Sequence, residues 1–213
     1  MSNDVKELVS ILIKNYKDKS PVIDLNKIPI GISGRHIHLC QKDLDALFGK
    51  DYKLTPIKDL SQPGQFACKE QLMLAGPKGF IEKVRIIGPA RKATQVEILR
   101  SDAFKLGVKP VTRLSGDLDN TPGITIIGPN GAVKIEQGVI VSQRHIHFSP
   151  SQAKERGLKN GDIVSIRLSG MRGGILENVA IRAGEESYLD CHIDQEEANA
   201  FGITSKDYAE IIR

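Results

Sequence analysis

Two copies of one tetrapeptide carry most of the chemistry this sequence can do. Arg35-His36-Ile37-His38 returns unchanged as Arg144-His145-Ile146-His147. The chain holds five histidines, and four of them sit in these two copies. In a β-strand, residues i and i+2 share a face, so each His-x-His presents two imidazoles side by side. Neutral imidazole is the commonest protein ligand for metals, so two such pairs point to two metal ions.

The repeat reaches beyond the tetrapeptide. Ile30-Gly31-Ile32-Ser33-Gly34 matches Val139-Ile140-Val141-Ser142-Gln143 at an offset of 109, and Glu82-Lys83-Val84 matches Glu177-Asn178-Val179 at an offset of 95. The difference fits the Lys/Pro-rich stretch at 51–69. Carried forward, the second offset aligns Ala103 with Ala198, Gly107 with Gly202, and Glu97 with His192, the fifth histidine. Each half then offers a His-x-His and one further ligand from an equivalent strand: His36, His38 and Glu97 in the first, His145, His147 and His192 in the second. Three protein ligands with an open position are the catalytic form of a zinc site. Nitrogen-rich sets with one carboxylate favour zinc over iron or copper; cobalt and nickel also fit.

Gly88-Pro89-Ala90-Arg91 lies six residues before Glu97 and directs the Arg91 guanidinium toward the first set. Arginine forks onto phosphate or carboxylate oxygens better than lysine. The equivalent position in the second half is Glu186, so this cation belongs to one half only; Lys92 is a secondary candidate. Cys191 neighbours His192 and points to the opposite face, into the core. Cys40 shares the His38 face and is read as core or as an extra ligand, and Cys68 falls in a loop.

The elements that must position these residues are short. Val22–Ser33 is β-like and leads into the first His pair, and Asp43–Phe48 is a helical turn closed by Gly49. Residues 51–69 read as a loop. Strands follow at Gln71–Ala75, Phe80–Ile87 and Gln95–Leu99, then a helix at Ser101–Leu106 stopped by Gly107. Beyond a connector at Gly116–Gly123 the pattern resumes with strands at Ile124–Ile127, Val133–Glu136 and Gly138–Ser142, then the second His pair. A helix from Ser149-Pro150 to Arg156, strands at Asp162–Leu168, Leu176–Arg182 and Tyr188–Ile193, and a helix at Gln195–Ala200 complete it. Many short strands with glycine turns and stubby helices give a mainly β, barrel-type fold. Ahead of it, residues 4–17 form an amphipathic helix through Val5, Leu8, Val9, Leu12, Ile13 and Tyr16. It suits docking on its own domain, a dimer contact or a targeting peptide.

Composition narrows the function classes. Net charge is +4 and the pI about 8.9, a mild basic bias that favours an anionic substrate. With aromatics at 5% and no Trp, a nucleic-acid stacking surface is a poor match. Three cysteines without CxxC spacing argue against a disulfide framework or zinc ribbon and fit reduced cytosolic thiols. No apolar run is long enough to span a membrane, and the N-terminus lacks a secretion-signal pattern.

The combination of Ser33-Gly34-Arg35-His36-Ile37-His38-Leu39, Gly88-Pro89-Ala90-Arg91, Gln95-Val96-Glu97-Ile98, Gln143-Arg144-His145-Ile146-His147 and Asp190-Cys191-His192-Ile193-Asp194 resembles the PduL-type phosphate acyltransferases, the phosphate propanoyltransferase family, over nearly all of the chain after residue 20. The resemblance implies two small strand-exchanged β-barrels related by the internal repeat. One is built from 25–34 plus 143–213 and the other from 35–142, with 1–24 as a helical tail. It implies reversible transfer of a short acyl group between CoA and inorganic phosphate at two zinc ions. His36, His38 and Glu97 match the zinc that meets the CoA sulfur, His145, His147 and His192 match the second zinc, and Arg91 matches the phosphate-binding arginine. Ile32, Ser33, Gly34, Lys78, Arg85 and Asn199 stand where CoA contacts are expected. A homodimer in the cytoplasm is implied, and the leading helix is similar in kind to peptides that send family members into bacterial microcompartments, among shell and cargo proteins; other members are cytosolic. No nucleic acid or membrane partner is implied.

Two rival classes use the same residues. A two-zinc thioester or phosphoester hydrolase would let water attack where phosphate attacks in the transferase. A non-catalytic metal-stabilised binding module would hold saturated metals with no open position and no need for Arg91.

Overall fold

Short apolar strands cannot bury themselves as isolated hairpins and must close on one another. The computed structural model describes residues 27–185 and 187–212, and there the strands form two groups. The helix expected at 4–17, the tail 1–24 and Glu186 lie outside the described residues. In chain order the first strands are β1 (Ile28–Ser33), β2 (His36–His38), β3 (Pro56–Asp59), β4 (Phe66–Ala75), β5 (Phe80–Gly88), β6 (Gln95–Glu97) and β7 (Thr112–Arg113). They continue with β8 (Ile124–Gly128), β9 (Gly131–Ile135), β10 (Val139–Ser142), β11 (His145–Phe148), β12 (Ile163–Leu168), β13 (Gly174–Ala183), β14 (Asp190–Asp194) and β15 (Tyr208–Ile212). Four short helices join them: α1 (Gln41–Phe48), α2 (Arg100–Leu106), α3 (Pro150–Glu155) and α4 (Gln195–Phe201).

The fold is mainly β, as the glycine-punctuated pattern implies. Strands β1-β14-β11-β13-β12-β15 close into a six-stranded barrel. The others form a sheet in the order β7-β10-β6-β2-β5-β4-β8-β9, with β3 on β4, curled into a half-barrel. Each group encloses its own core. Ile37, Leu72, Ile86, Val96 and Ile126 are buried in the sheet, and Ile30, Ile146, Phe148, Ile181 and Ile193 in the barrel.

The internal repeat is visible in the backbone. The His-x-His strand β2 lies between β5 (parallel) and β6 (antiparallel), and β11 lies likewise between β13 and β14. In β5, the four residues from Ile81 to Val84 face three in β4, from Leu74 back to Leu72; Leu176 to Val179 in β13 faces Ile166 back to Val164 in the same way. The extra residue makes a bulge. Lys83 and Asn178, 95 apart, take φ of 58° and 59° there. Gly107 and Gly202 close α2 and α4 in the left-handed conformation, the usual glycine C-cap.

The halves exchange one strand each. β1 runs parallel to β14 with Gly31 beside His192, and β10 runs parallel to β6 with Ile140 beside Glu97. Under the two offsets these registers are equivalent. Each exchanged strand leads directly into a His-x-His, so the chain crosses between the halves at 33–36 and again at 142–145.

The stretch 51–69 is not wholly a loop. It holds β3 and the start of β4, and only 51–55 and the tip at 60–65 are irregular. Its Lys, Pro and Gln residues hide the pairing because β3 is an exposed edge strand with no apolar face to display. Cys68 consequently lies in β4, fully buried, and not in a loop. Cys191 is core, and Cys40 stands immediately before α1, at its N-cap, half-buried. β7 and β15 also escape the sequence pattern: β7 is two residues long, and β15 alternates weakly.

Candidate active site

Antiparallel pairing places the third ligand of each set opposite the first. His36 faces Glu97 across β2·β6, and His145 faces His192 across β11·β14. Within each set the ligand atoms lie within 4.8 Å of one another. In the first, His36 Nε2 is 3.5 Å from Glu97 Oε2 and His38 Nε2 is 4.0 Å from Glu97 Oε1. In the second, the three imidazole centroids are 4.8 to 5.0 Å apart, and the Nε2 atoms of His145 and His147 approach to 3.1 Å.

Backbone carbonyls fix the tautomers. His36 Nδ1 lies 2.9 Å from Gly34 O, His38 Nδ1 3.1 Å from Ile87 O, and His145 Nδ1 2.8 Å from Gln143 O. A carbonyl oxygen only accepts, so each Nδ1 carries the hydrogen and each Nε2 lone pair faces inward. Burial reinforces the neutral form. It pushes His38 down to about 3, helped by the neighbouring His36 and Arg91. It pushes His145 down to about 4, with His192 adding to the effect, and His147 to about 3, with His145 and His192 adding. His36 is the exception: burial disfavours its cation, but Glu97 outweighs burial and raises it. Burial likewise works against the Glu97 carboxylate, yet the imidazoles and Arg91 hold it well below the usual range. The inward-facing Nε2 atoms of His36, His38 and His145, with the ionised Glu97 carboxylate, are donors that fit a zinc-like divalent ion.

Both sets line one cavity of about 800 Å³, with walls from both halves. That is the size of a cofactor or small-molecule site. Arg91 enters it from the Gly88-Pro89 loop. Its backbone N–H donates to Leu39 O (2.8 Å), and its Nη1 donates to Ser115 Oγ (2.9 Å). Gln95 Nε2 donates to the same hydroxyl (2.8 Å) and to Glu97 Oε1 (2.7 Å), so one network ties the arginine to the carboxylate. Ile32, Ser33, Gly34 and Arg85 also line the cavity, whereas Lys78 and Asn199 are exposed and outside its lining.

A profile described as phosphate propanoyltransferase matches residues 29–204. The chain belongs to the phosphate propanoyltransferase family. It is 52% identical to the phosphate propanoyltransferase of Thermotoga maritima over 87% of this chain and 89% of that one. It is 53% identical to that of Rhodobacter capsulatus over 83% and 82%, and 40% identical to that of Clostridioides difficile over 100% and 99%. The family is one of acyltransferases.

Several lining residues go beyond those the sequence singles out. Arg182 stands beside His147 in the β11·β13 register, lines the cavity, and feels the charge of Glu97. The offset of 95 gives Ile87 as its counterpart, so the same asymmetry that marks Arg91 marks Arg182. Asp190 holds His192 Nε2 at 2.9 Å and is the counterpart of Gln95, which holds Glu97; the recurrence two residues before each third ligand was its signal. Ser61 Oγ is 3.4 Å from His192 Nε2, and Gln62 is buried with both amide atoms on the Tyr188 backbone. These two reach the second set from the β3–β4 tip of the other half, and no local pattern announces that.

Proposed function

We propose that this protein is a phosphate acyltransferase that moves a short acyl group reversibly between CoA and inorganic phosphate by direct attack, at a pair of zinc ions. One observation carries the reading. Two three-ligand sets, each short of a full tetrahedral shell, open on one cavity that also holds two half-buried guanidinium groups, Arg91 and Arg182.

His36, His38 and Glu97 would hold one ion, and His145, His147 and His192 the other. Bound zinc would supply Lewis-acid polarisation of the thioester carbonyl and affinity for a soft thiolate. The protein's own groups do the rest. Arg91, pinned by Ser115, presents its remaining donors to a phosphate oxyanion, and Arg182 adds a second cation from the opposite half. Burial makes both guanidinium groups poorer cations than in water, which is relieved when an anion arrives. Fixing phosphate against the carbonyl turns a bimolecular encounter into a positioned one. A phosphate oxygen forms the new C–O bond, the C–S bond breaks, and the thiolate leaves; no redox partner or acyl-enzyme is required. Ile32, Ser33, Gly34 and Arg85 would contact CoA within the cavity. Lys78 and Asn199, outside it, would meet the distal nucleotide.

The test is CoA release from propanoyl-CoA by purified protein, with and without phosphate, alongside metal analysis. Release that needs phosphate and yields one acyl phosphate per thiol is expected, with two metals per chain. Release without phosphate would favour the hydrolase, and a radiolabelled acyl group trapped on the protein would overturn direct attack.

A further inference from the structure

The arginine that opens each repeated tetrapeptide has no part in the chemistry above, yet it is duplicated with the histidines. Arg35 and Arg144 stand immediately before the strands that begin at His36 and His145, and Arg35 also edges the cavity. Arg35 meets Asp102 in a fork: Nε donates to Oδ2 (2.8 Å) and Nη2 to Oδ1 (2.9 Å). Arg144 Nε lies 2.8 Å from Glu197 Oε1. Asp102 and Glu197 are 95 residues apart, and each sits at the third position of the helix that follows a third-ligand strand. Each also accepts from the backbone N–H at that helix's start: Leu99 N to Asp102 (3.0 Å) and Asp194 N to Glu197 (3.0 Å). The two clasps are themselves joined. Glu196, the counterpart of Ser101, accepts from Ser101 N (3.2 Å), so the starts of α2 and α4 meet where the two halves meet.

We propose that Arg35 and Arg144 are positioning residues. Each clamps the strand bearing two ligands to the helix that anchors the strand bearing the third, and so sets the ligand geometry of its own site. The inference rests on the two-metal reading. Its physical basis is the brevity of the ligand strands. β2 and β6 have three residues each, and their antiparallel pairing is correspondingly small. A charge-assisted fork across their ends supplies the constraint that so few ladder bonds leave open. In Glu197 one oxygen, Oε2, serves the helix start while Oε1 is left for the arginine; in Asp102 Oδ2 accepts from both Leu99 N–H and Arg35 Nε, and Oδ1 takes the second guanidinium donor.

The experiment uses Glu197→Gln, which keeps the capping contact to Asp194 N but removes the charge. It is made in a His38→Ala background, so that only the three-histidine set is intact, and Co2+ binding is followed by its visible absorption and by chelator competition. Glu197→Gln should weaken Co2+ by roughly tenfold or more, the usual effect of losing an outer-shell partner. Glu197→Asp, which borrows the acid of the other half, should stay close to the His38→Ala parent. In the complementary His147→Ala background, Asp102→Asn should weaken the first set while Glu197→Gln leaves it unchanged. A merely structural role predicts lower thermal stability with both metal affinities intact, and that result would overturn the proposal. If the unsubstituted protein bound no divalent ion, the two-metal reading would fall and take the clasp with it. Two tightly bound ions that ignore Glu197→Gln would remove the clasp alone.

Discussion

Gly31 presses against the imidazole of His192: a Cβ built on Gly31 would stand 2.5 Å from His192 Cδ2 and 2.9 Å from Asp190 Oδ2. The exchanged strand β1 therefore forms the back wall of the three-histidine set, and its glycine is a matter of space, because nothing in the Gly31 backbone demands one. The counterpart, Ile140 beside Glu97, carries a full buried side chain. Gly31→Ala should push His192 off its position between Asp190 and the other two imidazoles. Metal content should fall toward one ion per chain, with activity down by about ten- to a hundredfold. Metal analysis of Gly31→Ala checks it; two retained ions would show that His192 moves without consequence.

Arg91 is the cation the phosphate assay should feel first. It is half-buried, held by Ser115, and placed on the same network as Glu97. Arg91→Ala should lower kcat/KM for phosphate by roughly 10²–10³, the scale of losing a charge-assisted donor at a developing oxyanion. Arg91→Lys should recover only part, since a lysine keeps the charge and loses the fork. Binding of CoA alone, followed by calorimetry, should change little. A phosphate KM unchanged in Arg91→Ala would transfer the role to Arg182.

Much of this site could be read from the chain because duplication supplied an internal alignment. The pairing of Glu97 with His192 came from two offsets alone, and the ladders place both opposite the first histidine of their pair. The same device exposes Asp190 through Gln95 and Arg182 through Ile87. What stayed hidden was whatever crosses between halves. Ser61 and Gln62 reach the second set from the tip of a hairpin in the first, and their contacts lie more than a hundred residues away in sequence. Edge strand β3 was hidden for another reason: exposed on both faces, it carries no hydrophobic alternation to detect.

Stripped of metal, the protein should lose stability as pH falls from about 6.5 toward 3–4. His38, His145 and His147 are depressed below the ordinary value of 6.5, chiefly by burial, to about 3, 4 and 3. In that window the unfolded chain binds protons that the folded chain excludes, so stability rises with pH and is fully present only above the unfolded value. His36, raised by Glu97, works in the opposite sense but stands alone against three. Urea unfolding of the chelator-treated protein at pH 7 and pH 5 measures this. A lower midpoint at pH 5 is expected, with the difference reduced in His145→Gln. Equal midpoints would contradict the burial of these imidazoles.

The paired bulges predict a stabilising substitution. Lys83 and Asn178 hold the same left-handed conformation, φ 58° and 59°, at equivalent positions of β5 and β13. Asparagine tolerates that region because its short side chain bonds locally, whereas for a lysine the conformation costs about 1 kcal/mol or more. Both side chains are exposed, so neither is fixed there by packing. Lys83→Asn should therefore raise stability by about 0.5–1 kcal/mol, and Asn178→Lys should lower it by a similar amount. Neither residue lines the cavity, so the phosphate-dependent rate should hold in each. Thermal and urea unfolding of the two variants checks the pair. Opposite shifts of similar size would show that the repeat preserves backbone strain as well as ligands, and a destabilised Lys83→Asn would mean that the Lys83 side chain makes a contribution its exposure conceals.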